Sequence, residues 1–164
     1  MGRRNRTAIF LGRTPIYRRW ASEERDFTPW VQDQARSRFR DLLGCEVEVV
    51  GREQQIGGFE IDLVLRRRDN SELVVVENLL DHLDHAHIGK ALTYAMLLPA
   101  TTIIWVVGGV RDSHLRALQR LAEQLNGVEL YVLEVSIPFG EANGGYEVEP
   151  TIVERLASNR TEEP

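Results

Sequence analysis

Gly57-Gly58-Phe59-Glu60-Ile61-Asp62-Leu63-Val64-Leu65 and, after the polar turn Arg67-Arg68-Asp69-Asn70-Ser71, Leu73-Val74-Val75-Val76-Glu77-Asn78 decide the fold. The first run alternates, with Phe59, Ile61, Leu63 and Leu65 on one side and Glu60, Asp62 and Val64 on the other, as a strand with one buried face does. The second is short, β-branched and almost wholly apolar, which suits a strand buried on both faces. Together they read as a hairpin. A carboxylate that ends a buried strand needs compensation, so Glu77 beside a strand carrying Asp62 points to two carboxylates converging on a cation. The plainer reading is a surface hairpin with ordinary charges, since acids at strand ends are common.

Upstream, Thr28 is a good N-cap and Pro29 falls at the first helical position, so Phe27-Thr28-Pro29-Trp30 predicts a helix running to about Leu43 and closed by Gly44. Its apolar stripe is Trp30, Val31, Ala35, Phe39, Leu42 and Leu43, with Gln32, Asp33, Arg36 and Arg40 on the polar side. Cys45 to Val50 alternates as a strand, and Gln54 to Gly58 reads as the loop into the hairpin. Downstream, Asp81 to His87 is a polar entry into a second helix that ends near Leu98 at Pro99, with Ile88, Ala91, Leu92 and Ala95 as its core stripe. His87, Lys90 and Tyr94 share a second, more polar face of that helix. Thr101 to Val107 is a buried strand, Arg111 to Leu125 has helical spacing, and Val128 to Val135 is a further strand. A weak strand signal lies at Thr7 to Leu11, a turn at Arg13-Thr14-Pro15, and an added edge strand is expected beyond Tyr146. The order α-β-β-β-α-β-α-β predicts an α/β domain with a mixed central sheet flanked by helices on both faces.

The 164 residues suit one domain, with 43% hydrophobic and 27% charged residues as in an ordinary globular chain. No apolar run is long enough to span a bilayer and the N-terminus lacks the apolar core of a signal peptide, so a cytoplasmic protein that does not enter the membrane is expected. A single cysteine, Cys45, rules out an intrachain disulfide and a thiolate zinc cluster. The net charge of −5 is uneven. Arg3, Arg4, Arg6, Arg13, Arg18, Arg19 and Arg25 make a basic arm of residues 1–26, and Glu141, Glu147, Glu149, Glu154, Glu162 and Glu163 populate the end, where 151–164 reads as a tail. Such an arm can follow phosphates, or it can be a solvated terminus.

The order of elements, Asp62 and Glu77 on consecutive strands, and the helix after them resemble the PD-(D/E)XK phosphodiesterase superfamily. More narrowly, Phe27-Thr28-Pro29-Trp30, Gly58-Phe59-Glu60-Ile61-Asp62, Val76-Glu77-Asn78, Asp84-His85-Ala86-His87-Ile88-Gly89-Lys90 and Thr93-Tyr94-Ala95 look like an uncharacterised prokaryotic branch with this nuclease-like domain. That branch also carries a Trp-containing strand and an Arg-Asp-x-His helix, matched by Trp105 and by Arg111-Asp112-Ser113-His114. The resemblance implies a three-layer, restriction-endonuclease-like core over 27–150 and a nuclease dependent on Mg2+, or on Mn2+ in its place. Asp62 and Glu77 would bind the ion, polarising the scissile phosphate and lowering the pKa of a bound water. Asp33 stands where many members carry a helical acid that helps hold metal or water.

The superfamily lysine belongs two residues after the glutamate, where this chain has Leu79. Lys90 on the following helix is the candidate replacement, and a solvated surface lysine is the alternative. His85, His87, Tyr94 and Asn78 are the candidate nucleic-acid contacts. His85 and His87 cannot share a helical face, which disfavours zinc; a helix cap is the competing role for either, and a core or rim aromatic the competing role for Tyr94. The function expected is cleavage of a nucleic-acid backbone, DNA first, by a homodimer. The alternatives are a catalytically degenerate module of the same fold that binds nucleic acid or a protein, which Leu79 supports, and an assembly module whose acidic surface docks a basic partner.

Overall fold

The computed structural model describes residues 10–140 and 149–157. Arg3, Arg4, Arg6, residues 7–9 of the expected first strand, Tyr146 and the acidic residues 141, 147, 162 and 163 lie outside them. The elements are β1 (Phe10–Thr14), a 3-10 turn (Ile16–Arg18), α1 (Thr28–Gln34), α2 (Arg40–Leu43), β2 (Val47–Ile56), β3 (Phe59–Arg67), β4 (Leu73–His82), α3 (His85–Leu97), β5 (Thr102–Gly109), α4 (Asp112–Gln124), β6 (Glu129–Gly140) and β7 (Thr151–Ala157). Seven strands make one mixed sheet in the order β1-β6-β5-β4-β3-β2, with β7 also on β6. The β2/β3, β3/β4, β1/β6 and β6/β7 pairs are antiparallel, and β4/β5 and β5/β6 are parallel. The expected α/β class with a mixed sheet is therefore present, and β7 supplies the late edge strand.

The sheet is covered on both faces, as parallel central strands require. On one face Ile16, Trp20, Phe27, Val31, Phe39 and Leu43 pack against Leu63, Leu65, Val74, Val76, Ile104 and Val106. On the other, Ala91, Tyr94 and Ala95 of α3 and Leu118 of α4 pack against Val64, Val75, Ile103, Trp105, Val107 and Val132. The alternation of β4 explains this division, because Val74 and Val76 face the N-terminal helices while Val75 faces α3. Ile61, which the alternation put on the face of Leu63, packs instead with the α3 side. Among the described residues, no helix is long and apolar enough to cross a membrane.

β4 runs on to His82 and β6 to Gly140, past the expected ends at Asn78 and Val135, and three further boundaries differ from expectation. The N-terminal helical run begins at Glu23 rather than at Pro29. A π segment (Glu23–Phe27) leads into α1, a second (Ala35–Phe39) joins α1 to α2, and Ser22, not Thr28, is the cap, accepting from the Arg25 N–H at 3.2 Å. Thr28 is buried and accepts from Asn78 Nδ2 at 3.1 Å, so a tertiary contact took the hydroxyl that local pattern assigned to a cap. β2 reaches Ile56, past the expected loop, because an edge strand needs no apolar alternation and Arg52, Gln54 and Gln55 can face water. Its hairpin closes on Gly57 and Gly58, both at positive φ (59° and 83°), as a two-residue turn with the sheet's own twist demands. β1 extends through Thr14, where a turn was expected.

Gly108 sits where β5 comes closest to the end of β4. A Cβ there would lie 2.6 Å from the Leu80 carbonyl oxygen and 3.0 Å from Ile16. Backbone cannot yield as a side-chain tip does, so Gly108→Ala is expected to destabilise by about 1–3 kcal/mol. Urea unfolding of the variant beside the parent checks this.

Candidate functional site

The antiparallel register of β3 and β4 pairs Leu63 with Val76. Continued by one position, it sets Asp62 opposite Glu77. The paired ladder stops at Leu63, and beyond it the Asp62 carboxylate takes over as acceptor, with Oδ2 2.7 Å from the Asn78 N–H. The two carboxylates lie close enough for each to act on the other's titration. Glu77 pairs in register with Trp105 of β5 and is 1% exposed, so it lies in the sheet interior.

Among the described residues one cation reaches it. Lys90 Nζ lies 3.0 Å from Glu77 Oε1 and 3.3 Å from Oε2, and only the second contact is aligned as a hydrogen bond. Oε1 is thus buried without a hydrogen-bond donor. Lys90 is held over the Tyr94 ring, 5.6 Å from its centroid. The Tyr94 hydroxyl donates to the Glu60 carbonyl at 2.6 Å and Trp105 Nε1 to the His87 carbonyl at 3.1 Å, so α3 is pinned to β3 and β5 on either side of the lysine. The shared face of His87, Lys90 and Tyr94 therefore turns towards the carboxylates. Leu79, two residues past Glu77, is half-buried in the apolar cluster beneath α3.

Burial first, and then the Asp62 charge, pushes the Glu77 carboxyl up to about 8. Burial also raises Asp62, against the downward pull of the Asn78 N–H, Lys90, Glu77 and His87. One ammonium does not neutralise this group. Two further acids, absent from the sequence expectation, add to it. Glu23 accepts from the Leu80 N–H at 2.9 Å and is raised by burial and next by Asp62, with His87 and Lys90 opposing. Glu53 falls between Arg52 and Gln54, which pair with Leu63 and Ile61, so it stands opposite Asp62 on the other side from Glu77. Its φ of 47° is unusual for a residue with a side chain, and burial, then Asp62, raise its carboxyl to about 7. Acids on three adjacent strands thus share one row of the sheet. A row of that kind is invisible to local pattern; only the registers reveal it.

Of the residues singled out by sequence, Asp62, Glu77 and Lys90 come together, and His87 is near enough for its charge to act on Asp62. Asp33 is exposed on α1, and the N-terminal acid that senses Asp62 is Glu23 instead. Asn78 and Tyr94, expected at a nucleic-acid surface, are buried and serve as struts. His87 is tied to Asp84, the N-cap of α3, which accepts from its backbone N–H at 2.9 Å and lies 2.8 Å from its Nδ1. His85 is exposed and stands edge-on to His114.

Among the described residues, no three His, Cys, Asp or Glu side chains converge into a metal cage. The facing pair Asp62 and Glu77, with the unsatisfied Glu77 Oε1, fits a hard cation that keeps most of its waters, as Mg2+ does when two carboxylates and substrate oxygens complete its shell. No imidazole or thiolate joins the pair, so the donor set does not fit zinc. Compared with protein-family models, curated proteins and solved structures, the chain has no match.

Proposed function

We propose that the protein is a divalent-cation-dependent phosphodiesterase of the PD-(D/E)XK kind that cleaves a nucleic-acid backbone, with the three-layer α/β fold as its restriction-endonuclease-like core. The observation that carries this reading is the convergence of Asp62 and Glu77 at the point where β3 and β4 stop pairing, with Lys90 reaching them from α3. Asp62 and Glu77 would hold the cation, Mg2+ or Mn2+, which when bound polarises the scissile phosphate and lowers the pKa of a water. The chain's own work is positional. Asn78 fixes Asp62 through its N–H, Tyr94 and Trp105 fix the helix that carries Lys90, and Lys90 puts an ammonium beside the place where phosphate charge develops. Leu79 can do none of this, and the 3.0 Å contact of Lys90 with Glu77 supports Lys90 as the stand-in for the superfamily lysine.

A second reading is favoured by the same leucine: a descendant that binds nucleic acid without cutting it. Supercoiled and linear DNA incubated with Mg2+, then Mn2+, separates the two. Nicking is expected, with loss of roughly 10^3-fold or more in Glu77→Ala and on chelation. Intact DNA in every lane, with the protein folded, would give the binding module the case.

A further inference from the structure

We propose that the first turn of α4, together with His85 and His114, is a seat for a phosphate group, separate from the carboxylate pair. β4 and β5 are parallel neighbours, so the helices that follow them, α3 and α4, begin at the same end of the sheet. That end, beyond the carboxyl ends of parallel strands, is where open α/β sheets bind ligands. The two entry loops are tied by the Leu83 N–H, which donates to the Gly109 carbonyl at 2.9 Å, so the two helix starts are held as one unit.

The two starts differ. α3 is capped by Asp84, whereas α4 has Arg111 at its cap position and, among the described residues, no side chain accepting from its first-turn N–H groups. Those donors, with the positive end of the helix dipole, suit an anion. The independent observation is His114, in that same turn. It is only 9% exposed, its Nδ1 is buried without a hydrogen-bond partner, and its ring stands edge-on to His85, 4.9 Å between centroids and 82° between planes. A buried ring nitrogen left unsatisfied costs about 1–3 kcal/mol unless a ligand or water meets it. Asp112, exposed in the same turn, competes for the helix end. A phosphate, with several strong acceptor oxygens, satisfies amide N–H, imidazole and guanidinium donors together.

As a seat for a phosphate of the nucleic-acid strand, it rests on the phosphodiesterase reading; as a phosphate seat, it does not. Amide NMR of the full chain with chelator present, titrated with inorganic phosphate and separately with oligothymidylate, tests it. Phosphate is expected to move the amides of His85 and of the first turn of α4 equally in the parent and in Glu77→Ala. Binding should weaken about tenfold in His114→Phe, which keeps the ring volume, and in His85→Asn, whose exposed site spares the fold. Equal affinity in both histidine variants, or shifts that bypass α4, overturns the proposal. If oligothymidylate moves the same amides and phosphate displaces it, the strand is the source. If phosphate binds there and oligothymidylate does not, the seat stands for a small phosphate-bearing ligand, and the nucleic-acid reading is what fails.

Discussion

Cation-free protein is expected to lose stability steadily as the pH rises from about 5 to about 8, and millimolar Mg2+ is expected to restore most of the loss. The sign follows from Glu77, whose folded value of about 8 exceeds its ordinary 4.5. Between those values the unfolded chain has released the proton and the folded chain has kept it. The folded state therefore binds more protons, and raising the pH favours unfolding. Below about 4.5 the contribution is fully present, and above about 8 it is gone.

At about 1.4 kcal/mol for each pH unit that separates the folded and unfolded values, the loss is on the order of a few kcal/mol, or about 10 °C in Tm for a chain of this length. Glu53, raised to about 7 but half-exposed, adds in the same direction with its effect screened by solvent. The lowered acids do not confuse the window. Asp69, held at about 2 by Arg67, and Asp81 and Asp84, held down by hydrogen bonds from His82 and His87, have made their gains before pH 5 is reached. A divalent ion takes the place of the Glu77 proton, so its binding releases protons and stabilises by about 2.7 kcal/mol at a hundredfold excess over Kd.

Glu77→Gln separates this from general acid or base effects. It removes the buried charge while keeping the shape, so the cation-free variant should be flatter between pH 5 and 8, more stable than the parent at pH 8, and unresponsive to Mg2+. Thermal unfolding across pH, with and without Mg2+, reads all three. A parent profile as flat as the variant's would mean that Glu77 is not held protonated by its surroundings, and the cation site would lose its main physical support.

The parts of the site that sequence disclosed are those whose signal is local. β3 announces Asp62 through alternation, the apolar run of β4 announces Glu77, and helical spacing puts His87, Lys90 and Tyr94 on one face before any contact is known. What stayed hidden depends on registers and burial. Glu53 enters the row only because β2 continues through residues that read as loop, and Arg67, taken for a turn residue, is 1% exposed and held by Asp69 and the Leu43 carbonyl. Glu23 was legible in principle. Ser22-Glu23-Glu24-Arg25-Asp26 has a capping serine followed by acids, and Asp26 Oδ2 accepts from the Ser22 N–H at 2.9 Å, but the stronger Thr28-Pro29 pattern drew the helix start six residues too late.

Removing Lys90 is expected to split cation binding from turnover. In the cation-free protein the Lys90 ammonium sits against Glu77, 3.0 Å from Oε1, where it competes with any metal for the same oxygen. Lys90→Ala frees that oxygen, so Mg2+ should bind several-fold more tightly, while Glu77, deprived of its counter-ion, should rise further and make the cation-free fold less stable at pH 8. Turnover should move the other way. An ammonium that stabilises developing phosphate charge is worth roughly 10^2- to 10^3-fold in kcat, and an alanine supplies none of it. A lysine acting only as a structural counter-ion predicts the tighter binding without the slower cleavage, so measuring both in one preparation distinguishes the roles. Placing a lysine two residues after Glu77 provides the complement. Leu79 shares the face of Glu77 and is only half-buried, so Leu79→Lys in the Lys90→Ala background brings an ammonium back to the same carboxylate from the strand. Recovery of about tenfold in kcat is expected, with cation affinity falling back towards the parent's. If Lys90→Ala cleaves as fast as the parent, the ammonium takes no part in the reaction and its contact with Glu77 is charge balance alone.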